Sequence, residues 1–116
     1  MESQSKEIRL YITADGKIPF AQWLESISDL KTQAIIDQAQ DKIRCGLLTN
    51  CKPVGSGVSE SKIDYEAGYR IYFGQIDFLV VLLWGGRKKN EKAQNKDIQK
   101  AKEYWADYEE REGSNK

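Results

Sequence analysis

Residues 58–85 read VSESKIDYEAGYRIYFGQIDFLVVLLWG, and this stretch decides the fold. It divides into three short runs rich in β-branched and aromatic residues, about Val58 to Tyr65, Tyr69 to Gly74 and Phe78 to Gly85. The connections Glu66-Ala67-Gly68 and Gln75-Ile76-Asp77 are hairpin-sized, so neighbouring runs pair antiparallel. Phe78 to Trp84 is apolar at both parities, as a central strand covered on both faces requires. In the middle run Tyr69, Ile71 and Phe73 alternate with Arg70 and Tyr72. If the first set faces a core, Arg70 and Tyr72 share the opposite face with Lys62 and Asp64 of the preceding strand.

Upstream, Leu47 to Gly57 contains Pro53, Gly55 and Gly57 and reads as a loop. Leu30, Ala34, Ile35, Ala39 and Ile43 recur at helical spacing, with Ser28 or Asp29 as cap and Gly46 as stop. Pro19 suits a helical first turn, and Phe20, Trp23, Leu24 and Ile27 form an apolar stripe, so a second helix packs against the first as a hairpin. Ile8, Leu10 and Ile12 alternate as a strand, closed by Asp15-Gly16, while residues 1–6 carry no pattern. Downstream, Ile98, Ala101, Trp105 and Tyr108 mark one side of a helix from about Gln94 to Glu110. The expected fold is α+β: a small antiparallel sheet, mixed at the N-terminal strand, with an N-terminal helix pair and a C-terminal helix. A chain of 116 residues holds one such domain, ordered from about 7 to 110.

Composition narrows the chemistry. Apolar residues make up 40% and charged residues 31%, a balance that folds. The longest apolar run is short of a bilayer span and no leader precedes Ile8, so the expectation is a cytoplasmic protein without a membrane partner. Cys45 and Cys51 then read as reduced thiols. Histidine is absent, which removes histidine-based triads and the usual zinc sites, so neither a metal nor another cofactor is expected. Catalysis falls to Lys, Arg, Tyr, Asp or Glu. Net charge is zero, yet residues 87–102 place seven Lys or Arg against Glu91 and Asp97, and residues 103–112 reverse the sign. That asymmetry can present a positive patch to a polyanion, or simply form a solvated helix face.

The ordered blocks Lys52-Pro53-Val54, Gly57 to Tyr65, Gly68 to Phe73, Leu82 to Gly86 and Gln94 to Ala101 resemble the phage-derived, HigB-like branch of the RelE/ParE superfamily, the addiction module killer proteins. The resemblance covers roughly residues 8 to 108. It implies the toxin half of a type II toxin–antitoxin pair. Many such toxins are ribosome-dependent endoribonucleases that cut mRNA and so inhibit translation; ParE-like ones act on DNA gyrase instead. It also implies a cognate antitoxin, a helix-turn-helix protein from an adjacent gene, with mRNA and the ribosome as further partners. The family's Gly-Gly-Asp-Lys-Ser run is replaced here by Gly85-Gly86-Arg87-Lys88-Lys89, and many members are strongly basic, whereas this chain has a pI near 6.3. Which lysine of 88–92 takes the family lysine's place is left open.

Metal-free RNA cleavage needs the ribose 2′-hydroxyl deprotonated, the phosphorane charge stabilised and the 5′ oxygen protonated. Arg70 suits the second task, because a guanidinium forks onto two phosphate oxygens. The resemblance carries a sheet arginine into the active site, and Lys62, Lys88 and Tyr72 join Arg70 as expected catalytic residues. Without the resemblance, an Asp64–Arg70 ion pair on a solvated face is the plainer reading. Gly85-Gly86 is expected to let a phosphate backbone approach, with Arg87 and Lys89 as anchors. Lys92, Lys96 and Lys100 form a helical stripe able to track phosphates, and Tyr104 is a candidate for base stacking. Trp23, Trp84 and Trp105 fit apolar patterns and are expected to be core. Glu60 has no evident partner, so its role as a base is weak. Arg70→Ala is expected to relieve toxicity with the fold intact. Two other functions stay open: a gyrase-directed poison, kept alive by the lack of any group of near-neutral intrinsic pKa, and an inactive remnant that binds a partner.

Overall fold

The computed structural model describes residues 5–66, 68–87 and 90–113. β1 (Glu7–Leu10), α1 (Pro19–Glu25) and α2 (Leu30–Arg44) come first. β2 (Cys51–Gly55), β3 (Val58–Ile63), β4 (Tyr69–Ile76) and β5 (Leu79–Arg87) follow, and α3 (Glu91–Gly113) closes the order. Pro19 opens α1, where a missing N–H costs no helical bond. Asp29 caps α2 by accepting the Thr32 N–H. The Thr32 side chain also donates to it and holds that carboxyl below its usual range.

The strands form one sheet in the order β1-β5-β4-β3-β2. β1 runs parallel to β5 and every other pair is antiparallel, so the sheet is mixed at its first strand, as expected. The loop expected over Leu47 to Gly57 is a correction: Cys51–Gly55 is a strand paired with β3. Pro53 and Gly55 argue against a central strand, but β2 is the outer strand, where a missing N–H interrupts no second ladder. The turn that follows has positive φ at Gly55, Ser56 and Gly57.

Alternation along the strands builds two cores. Ile63, Tyr69, Ile71, Phe73, Val80 and Leu82 face Phe20 of α1 with Ile36 and Ile43 of α2. Val58, Tyr72, Val81 and Leu83 face Tyr11 and the Ala101, Trp105 and Tyr108 stripe of α3. α1 rests on β5 and α2 on β3, so each helix is placed by the sheet. A bulge shifts the β4–β5 register: Tyr72 lies opposite Trp84, yet Phe73 lies opposite Leu82. Two glycines bring an indole onto each face of the sheet. A methyl group at Gly85 would overlap the Trp23 ring, and one at Gly74 would overlap Trp105. Among the described residues no helix is long and apolar enough to cross a membrane.

α3 is also tied to the first strand and the residue after it. Arg9 Nη1 donates to Tyr108 Oη at 3.1 Å, and Tyr11 Oη donates to Asp107 at 2.6 Å. Burial, and after it the Asp107 contact, pushes the Tyr11 hydroxyl up to about 12. The stability this gives is complete below the unfolded value of about 10. It is lost as pH rises through the folded value, about 12. Tyr72 and Tyr104, also raised by burial, add to the same alkaline loss. Urea midpoints measured across that window are expected to fall less steeply in Tyr11→Phe than in the parent. Identical slopes would count against this assignment.

Candidate functional site

The register of the hairpin decides which polar side chains meet. Lys62 lies opposite Arg70 and Glu60 opposite Tyr72, while across β5 Arg70 faces Gly86. Cross-strand partners share a face, so these residues lie on the α3 side with Tyr72. Arg70 Nε donates to Glu60 Oε2 at 2.6 Å. The pair is buried, with Arg70 6% and Glu60 1% exposed. Gln94 of α3 donates to both Glu60 oxygens at 3.4 Å, and Lys52 Nζ of β2 stands 3.9 Å from Oε1. Arg70 Nη1 is buried without a hydrogen-bond partner among the described residues. An unpaired buried donor costs about 1–3 kcal/mol, so it asks for a reason. A cavity of about 380 Å³ opens at this point, lined by Thr49, Asn50, Cys51, Lys52, Glu60, Lys62 and Arg70.

A larger cleft of about 700 Å³ wraps the end of β5. Trp23, Asp29, Tyr69, Trp84, Arg87, Lys96 and Asp97 line it, with Gly85 and Gly86 at its base. Contrary to the expectation from sequence, the glycine pair does not lie bare for a phosphate backbone. The space beside Gly85 holds the Trp23 indole and that beside Gly86 holds the Asp97 carboxylate. Asp97 Oδ1 in turn accepts from Trp84 Nε1 at 3.1 Å.

The candidate residues separate into those brought together and those used elsewhere. Arg70 and Lys62 are neighbours; Lys62 is exposed, and Asp64 pairs with it at 3.6 Å, whereas the partner of Arg70 is Glu60. Tyr72 is 1% exposed within the core under α3. Burial first, then the charges of Glu60 and Asp97, raise its hydroxyl, so it holds its proton. Tyr104 packs its ring 5.0 Å from Tyr11 and 6.2 Å from Trp84, which leaves it a packing residue before a stacking one. Arg87 is exposed at the end of β5, and Lys92 and Lys96 are exposed on α3. Lys100 departs from that stripe, since its ammonium lies 4.6 Å over Trp84. Lys88 and Lys89 lie outside the described residues. Trp105 is core as expected, whereas Trp23 and Trp84 are half-buried. Cys45 and Cys51 are free thiols, the second half-buried and raised by that burial. Among the described residues no group of three or more His, Cys, Asp or Glu could hold a metal ion.

No family model matches the sequence. The chain is 36% identical over 86 residues to an uncharacterized protein of Haemophilus influenzae, a match that spans 73% of this chain and 84% of that protein. The two belong to one family. In this member of the family, sequence reasoning missed Glu60, Lys52, Gln94 and Asp97 as parts of the site. Glu60 was within reach: it stands two residues before Lys62, so the alternation that brings Lys62 beside Arg70 brings Glu60 to the same face. Gln94 and Asp97 depend on how α3 crosses the sheet, which no local pattern encodes.

Proposed function

We propose that this chain is the toxin of a type II toxin–antitoxin pair, a RelE/ParE-like endoribonuclease that cuts mRNA on the ribosome in the cytoplasm and is silenced by a helix-turn-helix antitoxin. The observation that carries this reading is the unpaired Nη1 of Arg70, held at a cavity beside Lys62 and Lys52. With Nε fixed by Glu60, the guanidinium keeps its Nη edge for a phosphate oxygen, and its contact strengthens as charge builds on the phosphorane. Lys62 and Lys52 neutralise the flanking oxygens and supply the proton for the departing 5′ oxygen. Glu60 is the anionic group among the residues lining that cavity and accepts the proton of the 2′-hydroxyl. Tyr72, buried and protonated, takes no part in proton transfer.

The test is induction from a tightly controlled promoter, following protein synthesis, DNA supercoiling and transcript ends. Rapid translation arrest with new 5′ ends in translated messages is expected. An SOS response with intact messages would select the gyrase-directed reading, and normal growth the inactive remnant. Lys62→Ala removes an exposed lysine, so cleavage is expected to fall by roughly 100-fold, in the range of one lost catalytic group. The melting temperature is expected to stay near the parent's, and full cutting by this variant would remove Lys62 from the site.

A further inference from the structure

The cavity at Arg70 holds more positive charge than one RNA linkage neutralises. Among the described residues that line it, Lys52, Lys62 and Arg70 stand against Glu60, a surplus of two positive charges. Register gathers these groups on one side of the sheet. Lys52 lies opposite Glu60 across β2 and β3, and Lys62 lies opposite Arg70 across β3 and β4. Cross-strand partners share a face, so all four belong to the face that α3 covers. The loop before β2 supplies the remaining wall: Asn50 O accepts the Lys62 N–H at 3.0 Å, and Thr49 and Asn50 line the cavity beside it.

Arg70 is the fixed cation of the set. Glu60 holds its Nε at 2.6 Å, and Nη1 is buried without a partner among the described residues. An acceptor that takes this donor removes the cost of leaving it unpaired. The two lysines are the adjustable cations. Lys52 stands 3.9 Å from Glu60 and Lys62 stands 3.6 Å from Asp64, and contacts made by exposed lysines give way at little cost. An RNA linkage carries one negative charge, whereas the phosphorane formed from it by an attacking alkoxide carries two. A free tetrahedral dianion therefore has the charge of the phosphorane rather than that of the substrate, and a site complementary to the first binds it well. Its four oxygens also give a guanidinium and two ammonium groups an acceptor each.

We infer that this cavity binds a free tetrahedral dianion, inorganic phosphate or sulfate, between Arg70, Lys52 and Lys62, and that the ion competes with RNA; the competition rests on the ribonuclease reading above. Thermal unfolding of the full chain in sodium phosphate and in sodium sulfate, against sodium chloride at equal ionic strength, tests it. With a dissociation constant on the order of 1 mM, either dianion is expected to raise the midpoint by about 5 °C and to level off by about 10 mM. The double variant Lys52→Ala with Lys62→Ala brings the surplus charge of the lining to zero and is expected to lose the saturable rise. Lys92→Ala, exposed on α3 and outside the cavity, is expected to keep it. Equal midpoints in phosphate and chloride would overturn the site. So would a rise that grows linearly with salt and persists in the double variant, which is the general effect of excluded anions and marks an adventitious ion only. In cleavage assays phosphate is expected to raise the KM for RNA and leave kcat unchanged, and an unchanged KM would overturn the competition. Intact messages with a saturable rise would remove the ribonuclease reading alone; cut messages without that rise would remove the anion site alone.

Discussion

Arg70→Ala is expected to lose about 3–5 kcal/mol of folding stability, along with any activity. The substitution removes the partner of a carboxylate that is 1% exposed and leaves Glu60 charged, buried and answered only by Gln94 and a distant Lys52. For a domain whose whole stability is about 5–15 kcal/mol, that is a substantial fraction. The expectation from sequence, that Arg70→Ala spares the fold, is thereby corrected, because Arg70 is the partner of a buried carboxylate that the sequence reading left without a partner. Two further variants separate the roles. Glu60→Leu with Arg70→Met replaces the pair by apolar side chains and is expected to recover most of the lost stability with no cleavage. Arg70→Lys keeps the charge opposite Glu60 but loses the second arm of the fork, so cleavage falls further than stability does. Urea unfolding of the set decides it; an Arg70→Ala domain as stable as the parent would mean that Glu60 has another partner.

Gly74→Ala is expected to cost about 3 kcal/mol, at the upper end for overpacking a filled core. The added methyl would occupy the place of the Trp105 indole. Trp105 is 2% exposed and stacks its ring 5.4 Å from Tyr108, so it cannot move aside without lifting α3 from Val58, Tyr72 and Val81. The change should lower the denaturation midpoint and shift tryptophan emission to longer wavelength. A midpoint within error of the parent's would show that α3 slides at little expense. Gly74→Ala with Trp105→Leu restores room and is expected to recover part of the loss relative to Gly74→Ala alone.

Periodicity was sufficient for much of this fold and for half of the site. The alternation of Tyr69 to Phe73 and the two-sided apolar run at Phe78 to Trp84 encode β4 and β5 locally, because a strand's period of two is written directly in its residues. The same alternation placed Arg70 beside Lys62. β2 escaped because Pro53 and Gly55 carry breaker signals whose meaning changes at a sheet edge, and edge position is a tertiary fact. Glycine was legible as a residue type but not in its purpose: Gly85 and Gly86 read as an approach for a ligand, whereas side chains of the protein itself fill the space. Lys100 and Tyr104 read as surface groups because a helical stripe does not reveal which of its margins meets an aromatic ring.

The parallel pairing of β1 with β5 joins opposite parts of the chain, with Glu7 beside Leu79. During translation the first strand emerges well before its partner exists, an interval of roughly 4–14 s at ordinary elongation rates. Over that time α1 has no β5 to lie on, and the arginine of β4 has no neighbour from β5. Closure of the β1–β5 ladder is therefore a late step of assembly, and it completes the sheet only after β2, β3 and β4 have been made.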